Sequence, residues 1–192
     1  MDLIFATNNQ HKASEIAHLL TEKWEVKSLA DIGFTQEVPE TGTTLEANAL
    51  QKARYIHNQL GKDCFADDTG LEIEALKGEP GVYSARYAGP AKDSNDNIRK
   101  VLAEMQDKHN RKARFRTVIA LIINKKEVLF EGIVSGVILS HPSGMGGFGY
   151  DPIFKPDEAT MSFAEMPLTE KNQISHRGRA VQKLVEYLKT IN

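Results

Sequence analysis

The chain has a single cysteine, Cys64, among its 192 residues, which excludes an internal disulfide framework and a cysteine-rich zinc site. It lacks any apolar run long enough to cross a membrane. The opening Met1-Asp2-Leu3-Ile4-Phe5 has neither a basic n-region nor an extended hydrophobic stretch. No secretory signal is therefore expected, and the cytoplasm is the default compartment. Neither sign of charge dominates: 24 Lys and Arg face 26 Asp and Glu, a net charge of −2. The charges are interspersed, so no basic stripe is available for a nucleic-acid backbone. Internal repeats and low-complexity segments are also missing. The length suits one domain over residues 1–192, or one domain with a modest second lobe. A chain of this size buries about 70% of its unfolded surface, enough for a core without staples.

The most informative stretch is Phe65-Ala66-Asp67-Asp68-Thr69-Gly70-Leu71-Glu72. Cys64-Phe65-Ala66 has the character of the end of a buried strand, with Asp67 and Asp68 emerging where the chain leaves the sheet. Neighbouring side chains on a strand point to opposite faces, so one of the pair faces the centre of a site. Carboxylates placed there are hard oxygen ligands suited to Mg²⁺, which keeps several waters and takes other ligands from substrate phosphates. One of them is also placed to orient or deprotonate a water. The alternative is a solvated turn, for which Asp and Thr are ordinary residues.

Upstream, Leu3-Ile4-Phe5-Ala6 fits a buried strand, followed by the polar run Thr7-Asn8-Asn9-Gln10-His11-Lys12. A helix is expected from Ala13 to Thr21, with Ile16, Leu19 and Leu20 on one face. A strand, polar loop and helix form a phosphate-binding arrangement, because the helix N-terminus offers unpaired N–H groups. This loop has no glycine and is not a Walker sequence. Its Asn and Thr side chains would supplement the backbone donors, and Lys12 a full charge; an ordinary turn and cap is the competing reading. Trp24 to Leu29 is a second candidate strand. A loop over Phe34 to Gly42 precedes Thr43-Thr44-Leu45-Glu46, which has the Thr-x-x-Glu form of a capping box. The helix after it runs to about Leu60 and stops at Gly61. Leu45, Ala49, Ala53, Ile56 and Leu60 form its core face. Asn48 and Lys52, four apart, can act together, although most helical lysines are solvated.

Leu71 to Leu76 alternates as a half-exposed strand. Arg86, within Val82 to Gly89, is a candidate anion contact or a surface arginine. Asn95 to Met105 is helical, with Ile98, Val101, Leu102 and Met105 on one side. Ala113 to Ile123 and Val128 to Leu139, separated by Asn124-Lys125-Lys126, form a hairpin of long strands. Strands at both ends of the chain with helices between argue for a mixed twisted sheet flanked by helices.

Four glycines crowd Ser143-Gly144-Met145-Gly146-Gly147-Phe148-Gly149-Tyr150-Asp151-Pro152, a sign of backbone bends or close ligand approach. Phe148 and Tyr150 would offer a base an aromatic surface, and Asp151 accepts hydrogen bonds from ring N–H groups. A flexible surface loop is the alternative. The last helix opens at Ser175-His176-Arg177-Gly178, with Val181, Leu184, Val185 and Leu188 on its buried face. Cations in its first turn oppose the helix dipole. Such broken rules concentrate at functional sites.

Thr7-Asn8-Asn9-x-x-Lys12, Glu40-Thr41-Gly42 with Glu46, Asn48 and Lys52, the acidic stretch, Ser84-Ala85-Arg86-Tyr87, Gly146 to Pro152 and Ser175 to Gly178 occur in that order. Together they closely resemble the inosine triphosphate pyrophosphatase family, also called XTP/dITP diphosphatases, and the resemblance runs from Ile4 to the last helix. It implies an α/β fold in which a long mixed twisted sheet, flanked by helices, divides two lobes with a central nucleotide cleft. It further implies a homodimer that requires Mg²⁺. The implied reaction hydrolyses the α–β phosphoanhydride of ITP, dITP and XTP, giving the monophosphate and pyrophosphate.

Residue by residue, the resemblance puts the triphosphate on Thr7, Asn8, Asn9, Gln10, His11 and Lys12, with Lys52 also on the phosphates. Asp68 becomes the acceptor of the water's proton and a metal-site residue with Asp67 nearby. Glu40 helps to hold Mg²⁺, with Glu37 the alternative carboxylate. Thr69, a position where many relatives have Ser, contacts substrate. Phe148, Gly149, Tyr150, Asp151, Lys171, His176 and Arg177 enclose the base. A related enzyme for modified pyrimidine nucleotides and a nucleotide sensor without turnover are the competing functions.

Overall fold

A computed structural model of the chain describes residues 2–17 and 24–191. Contacts divide the chain into two compact units of comparable length. The first comprises Met1–Asp68, Thr117–Gly132 and Arg177–Asn192; the second comprises Thr69–Arg116 and Ile133–His176. In chain order the strands are β1 (Asp2–Phe5), β2 (Glu25–Ser28), β3 (Cys64–Ile73), β4 (Pro80–Gly81), β5 (Lys112–Ile123), β6 (Lys126–Ile138) and β7 (Phe154–Pro156). The helices are α1 (Gln10–Ala17), α2 (Leu45–Leu60), α3 (Ser94–Glu104), α4 (Leu168–Ile174) and α5 (His176–Thr190). Sheet order is β2-β1-β3-β5-β6-β7, with β4 paired to β3. The β1–β2 and β1–β3 pairs are parallel, whereas β3–β4 and β6–β7 are antiparallel. This is the expected mixed sheet flanked by helices.

Each unit has its own core. In the first, Leu3, Phe5, Phe65, Ile119 and Leu121 from the strands pack with Ile16 of α1 and with Ala180, Val181, Leu184 and Leu188 of α5. The Phe5 and Phe65 rings stack at 4.6 Å. In the second, Leu71, Ile73, Phe115, Val134, Ile138 and Phe154 pack with Ile98, Val101 and Met105. Full burial of one such side chain contributes about 1.5–3 kcal/mol relative to exposure. Parallel pairing sets Ile4 opposite Cys64 and Phe5 opposite Phe65. The Ala6 N–H donates to Phe65 O at 2.8 Å, so this pairing brings the start of the polar loop beside the strand that carries the acidic pair.

Several expectations are corrected. β3 does not end at Ala66; it runs through both aspartates to Ile73, and Glu74–Leu76 is a short 3-10 turn, not part of a separate strand. A parallel partner on one part of β3 and an antiparallel partner on another keep it extended past the polar residues. α1 begins at Gln10, three residues before the expected start, and Leu19, Leu20 and Thr21 lie outside the described residues. The β5–β6 turn is two residues long: Asn124 and Lys125 both have positive φ (49° and 62°), the conformation that matches hairpin twist. α4 has no counterpart in the sequence reading.

α2 also starts differently. Thr44, not Thr43, is the N-cap: its hydroxyl accepts from the Ala47 N–H at 3.1 Å. Glu46 therefore falls at the second helical position and not at the third, where a capping box has its glutamate. At the other end Gly61 adopts the left-handed conformation and donates to His57 O, as expected. Thr44→Ala should lower stability by about 1 kcal/mol, while Thr43→Ala changes it by less than about 0.5 kcal/mol. Urea unfolding of both variants measures this, and the reverse order would restore the box at Thr43.

Candidate functional site

In the first unit a buried chain of alternating charges surrounds Asp67. The β1–α1 loop holds itself together first: the Asn9 N–H donates to Thr7 Oγ1 at 3.1 Å. Asn9 Oδ1 in turn accepts from the N–H groups of His11 and Lys12 at 3.0 and 3.2 Å. Asn9 is thus the cap of α1, while Asn8, Gln10 and His11 are exposed. Capped in this way, the first turn of α1 sends Lys12 Nζ to Asp67 Oδ1 at 2.9 Å. The other oxygen of Asp67 lies 3.4 Å from Arg177 Nε, and the same guanidinium pairs with Glu15 through Nη1. Asp67 is 2% exposed. Burial would raise its pKa, but Lys12 and then Arg177 outweigh that and hold it well below the usual carboxylate range. Burial pushes the Lys12 ammonium down, against the pull of Asp67.

Asp68 takes different partners. Its Oδ2 accepts from Asn48 Nδ2 at 3.0 Å, and Lys52 Nζ lies 3.8 Å from Oδ1. Lys52 also donates to Glu40 Oε1 at 2.5 Å. It is 6% exposed, so the competing reading of a solvated helical lysine fails. Burial disfavours its charge, yet Asp68 and Glu40 outweigh burial and hold its pKa above the ordinary value. For Asp68 burial prevails over Lys52, Lys12 and the Asn48 bond, and its pKa is raised. Of the two carboxylates considered for a metal, Glu40 reaches this cluster and Glu37 is exposed. Among the described residues, no group of three or more His, Cys, Asp or Glu side chains forms a metal-holding set.

The second unit brings together most of the residues expected around a base. Asp151 Oδ2 accepts from Lys171 Nζ at 2.7 Å and from the Phe148 N–H at 2.8 Å. Lys171 Nζ lies 5.0 Å from the Phe148 ring and 5.5 Å from that of Phe163. The glycine stretch is pinned: the Gly146 N–H donates to Ala164 O at 2.9 Å, and Ser162 Oγ donates to Ser143 O at 2.7 Å. Gly147 has φ 70°, and a Cβ there would stand 2.2 Å from Asp151 Oδ2, so only glycine lets the Phe148 amide reach that carboxylate. His176 stacks on Phe115, centroids 4.5 Å apart. Thr69 and Gly149 are half-buried. Arg86 packs over the Tyr83 ring at 5.2 Å.

Two residues are placed otherwise than the sequence suggested. Tyr150 is 5% exposed and belongs to the core, with its hydroxyl donating to Ser84 O at 2.7 Å; it offers no stacking surface. Arg177 is fully buried, and its guanidinium engages Glu15 and Asp67 beside the lysines. Sequence reasoning missed Glu15 altogether. Its only signal is a place three residues after Lys12 on a helix, where most glutamates are solvated.

A family model described as the Ham1 family matches residues 3–187. This chain belongs to the Ham1 family. It is similar to a dITP/XTP pyrophosphatase of Flavobacterium psychrophilum, 51% identical over 189 residues, covering 98% of this chain and 100% of that one. One of the same name from Porphyromonas gingivalis is 54% identical over 187 residues, covering 97% and 96%. The Ham1 fold is equally clear in solved structures. The Ham1 protein of Staphylococcus aureus superposes with a TM-score of 0.90 at 37% identity, covering 100% of both chains. A HAM1 protein of Coxiella burnetii gives 0.91 at 37% identity and 99% coverage of each.

The adjacent aspartates should have opposite effects on stability. Asp67, with its folded pKa depressed, contributes stability present above the unfolded pKa and lost as pH falls through the folded one. Asp68, with its folded pKa raised, contributes stability present below the unfolded pKa and lost as pH rises through the folded one. Asp67→Asn should therefore destabilise the metal-free protein at pH 7 by about 3 kcal/mol or more, since it removes a buried partner of two cations. Asp68→Asn should stabilise it at pH 7, with the gain shrinking as pH falls toward about 3.9. Urea melts in EDTA across this range test both, and destabilisation by both variants at pH 7 would contradict the assignment.

Proposed function

We propose that this chain is a Mg²⁺-dependent pyrophosphatase of non-canonical purine nucleoside triphosphates, acting in the cytoplasm as a homodimer. ITP, dITP and XTP are its substrates, and each yields the monophosphate and pyrophosphate. One observation carries the reading: a buried lysine, Lys52, a half-buried one, Lys12, and two buried neighbouring carboxylates share one cluster. Burying such charges is costly, and hydrophobic replacements would serve folding as well or better. A polyanionic substrate and a cation give such a cluster its use. The names of relatives near 50% identity over almost the whole chain support the same substrate class.

In this mechanism the β1–α1 loop and the first turn of α1 hold the phosphates through Thr7 to Lys12, and Lys52 adds a second cation. Asp67 stays ionised and keeps Lys12 aimed. Asp68, whose affinity for protons is raised by burial, takes the proton of the attacking water. The water oxygen bonds to phosphorus as the α–β bridging bond breaks, and pyrophosphate leaves with the bonding electrons. Lys12 and Lys52 stabilise the charge that builds on it. The donor set fits Mg²⁺: Glu40 and Asp68 are hard carboxylates that already flank a cation, the Lys52 ammonium, and substrate oxygens and waters complete such a shell. Glu40 and Asp68 would hold the ion, whose chemistry is to offset phosphate charge. Lys171 donates toward the O6 and N7 acceptors of a 6-oxopurine, where adenine presents an N6 donor. Asp151 accepts from a ring N–H, and Phe148 stacks. Adenine would leave Lys171 facing a donor, a heavily penalised mismatch. Arg177 acts in this reading through Asp67.

Pyrophosphate release from ITP, XTP, GTP and ATP, with Mg²⁺ and with EDTA, tests the reading. Mg²⁺-dependent pyrophosphate from ITP and XTP, with little from GTP or ATP, is expected. Orthophosphate as first product overturns the mechanism, and ITP binding without turnover points to a sensor. Asp68→Asn should lower kcat at least ~100-fold while ITP still binds. Light scattering should give twice the 21.4 kDa chain mass.

A further inference from the structure

Helix α2 grips the loop before it with three side chains from one face. Lys52 takes Glu40, as described. Gln51 takes Thr41 twice: its Oε1 accepts the Thr41 N–H at 2.9 Å and its Nε2 donates to Thr41 Oγ1 at 2.9 Å. Asn48 takes Gly42, whose N–H donates to Asn48 Oδ1 at 2.7 Å. Three loop residues are thus matched in reverse order by residues 48, 51 and 52, the spacing that shares a helix face. Lys52 also lies 3.8 Å from Asp68 Oδ1, but Asn48 makes the hydrogen-bonded bridge. Its Nδ2 donates to Asp68 Oδ2 at 3.0 Å, so one amide joins the Glu40–Gly42 loop to the carboxylate on β3.

We propose that Asn48 is a positioning residue for the reaction, fixing the rotation of the Asp68 carboxylate and its relation to the Glu40 loop. This rests on the role given to Asp68 above. The chemistry of the two partners dictates the residue type. A backbone N–H only donates and an ionised carboxylate only accepts, so the bridge between them needs an acceptor and a donor on one short, planar group. Asn has that and is 1% exposed here; Asp lacks the donor and Leu lacks both. With Oδ2 committed to Asn48, the carboxylate cannot spin, and Oδ1 is the oxygen turned to the Lys52 side. The loop contributes its own constraint. A Cβ on Gly42 would stand 2.8 Å from Asn48 Oδ1 and 2.8 Å from Ala47 Cβ. The glycine is what lets the loop close on the amide.

A double-mutant cycle separates positioning through Asp68 from a general structural role. Asn48→Leu should lower kcat for ITP at least ~10-fold, with KM changed less than ~3-fold because the phosphate loop is untouched. On an Asp68→Asn background the same substitution should lower kcat by less than ~2-fold, since the group it orients is gone. Gly42→Ala, which pushes on the same amide from the loop side, should reproduce the kcat loss in the native background. Asn48→Asp replaces Asn48→Leu in the cycle if the latter does not fold. An unchanged kcat in the Asn48 variant, or an equal loss on both backgrounds, overturns the proposal. Full turnover by Asp68→Asn alone would instead overturn the role of Asp68, whatever Asn48 does.

Discussion

The carboxylates of Asp67 and Asp68 leave adjacent positions of one strand, and each meets a lysine from a different helix. Lys12 of α1 reaches Asp67 and Lys52 of α2 reaches Asp68. Two adjacent residues with the same side chain thereby acquire opposite proton affinities. Asp67 sits against two cations that outweigh its burial, whereas at Asp68 burial prevails. Neutral polar residues at the two positions would spare the fold a desolvation cost. In the function proposed above, that difference separates a fixed anion from the acceptor of the water's proton.

The remainder of the first unit follows from keeping that pair in place. The parallel pairing of β1 on β3 brings the start of the polar loop beside the strand that carries Asp67, and the Asn9 cap fixes the direction of Lys12. The apolar face of α2, through Leu45, Ala49, Ala53 and Ile56, fixes where its polar side chains fall. Its other residues then reach both the Glu40 loop and Asp68. In the second unit an equivalent economy holds around Asp151, where a lysine, a backbone amide and a left-handed glycine converge on one carboxylate.

Much of this was legible in the residues. Period-two and helical patterns gave the main strands and helices, because burial on one face leaves a periodic trace. Gly61 announced the end of α2. Other features left no trace. The continuation of β3 through two aspartates runs against composition, and it holds only because partner strands and buried cations compensate. The capping box failed at Thr43 because cap geometry depends on which residue turns extended, and two threonines stand side by side. Glu15 looks like a solvated helix charge until α1 is packed on the sheet, and Arg177, marked in the sequence by its place in a first turn, gives no sign there that Glu15 and Asp67 are its partners. Tyr150 shares its glycine frame with Phe148, yet one ring enters the core and the other lies half-buried near Lys171; sequence spacing does not distinguish the two.

In the proposed function, neighbouring carboxylates on one strand divide into an anchored anion, Asp67, and a proton acceptor, Asp68. Carbon-13 NMR of the aspartate carboxyl groups in the metal-free protein, titrated with pH, observes this directly. Asp68 should take its proton at a pH above the ordinary aspartate value of about 3.9, while Asp67 remains ionised to the lowest pH at which the fold persists. Titration of both near the ordinary value, or of Asp67 before Asp68, would contradict the account.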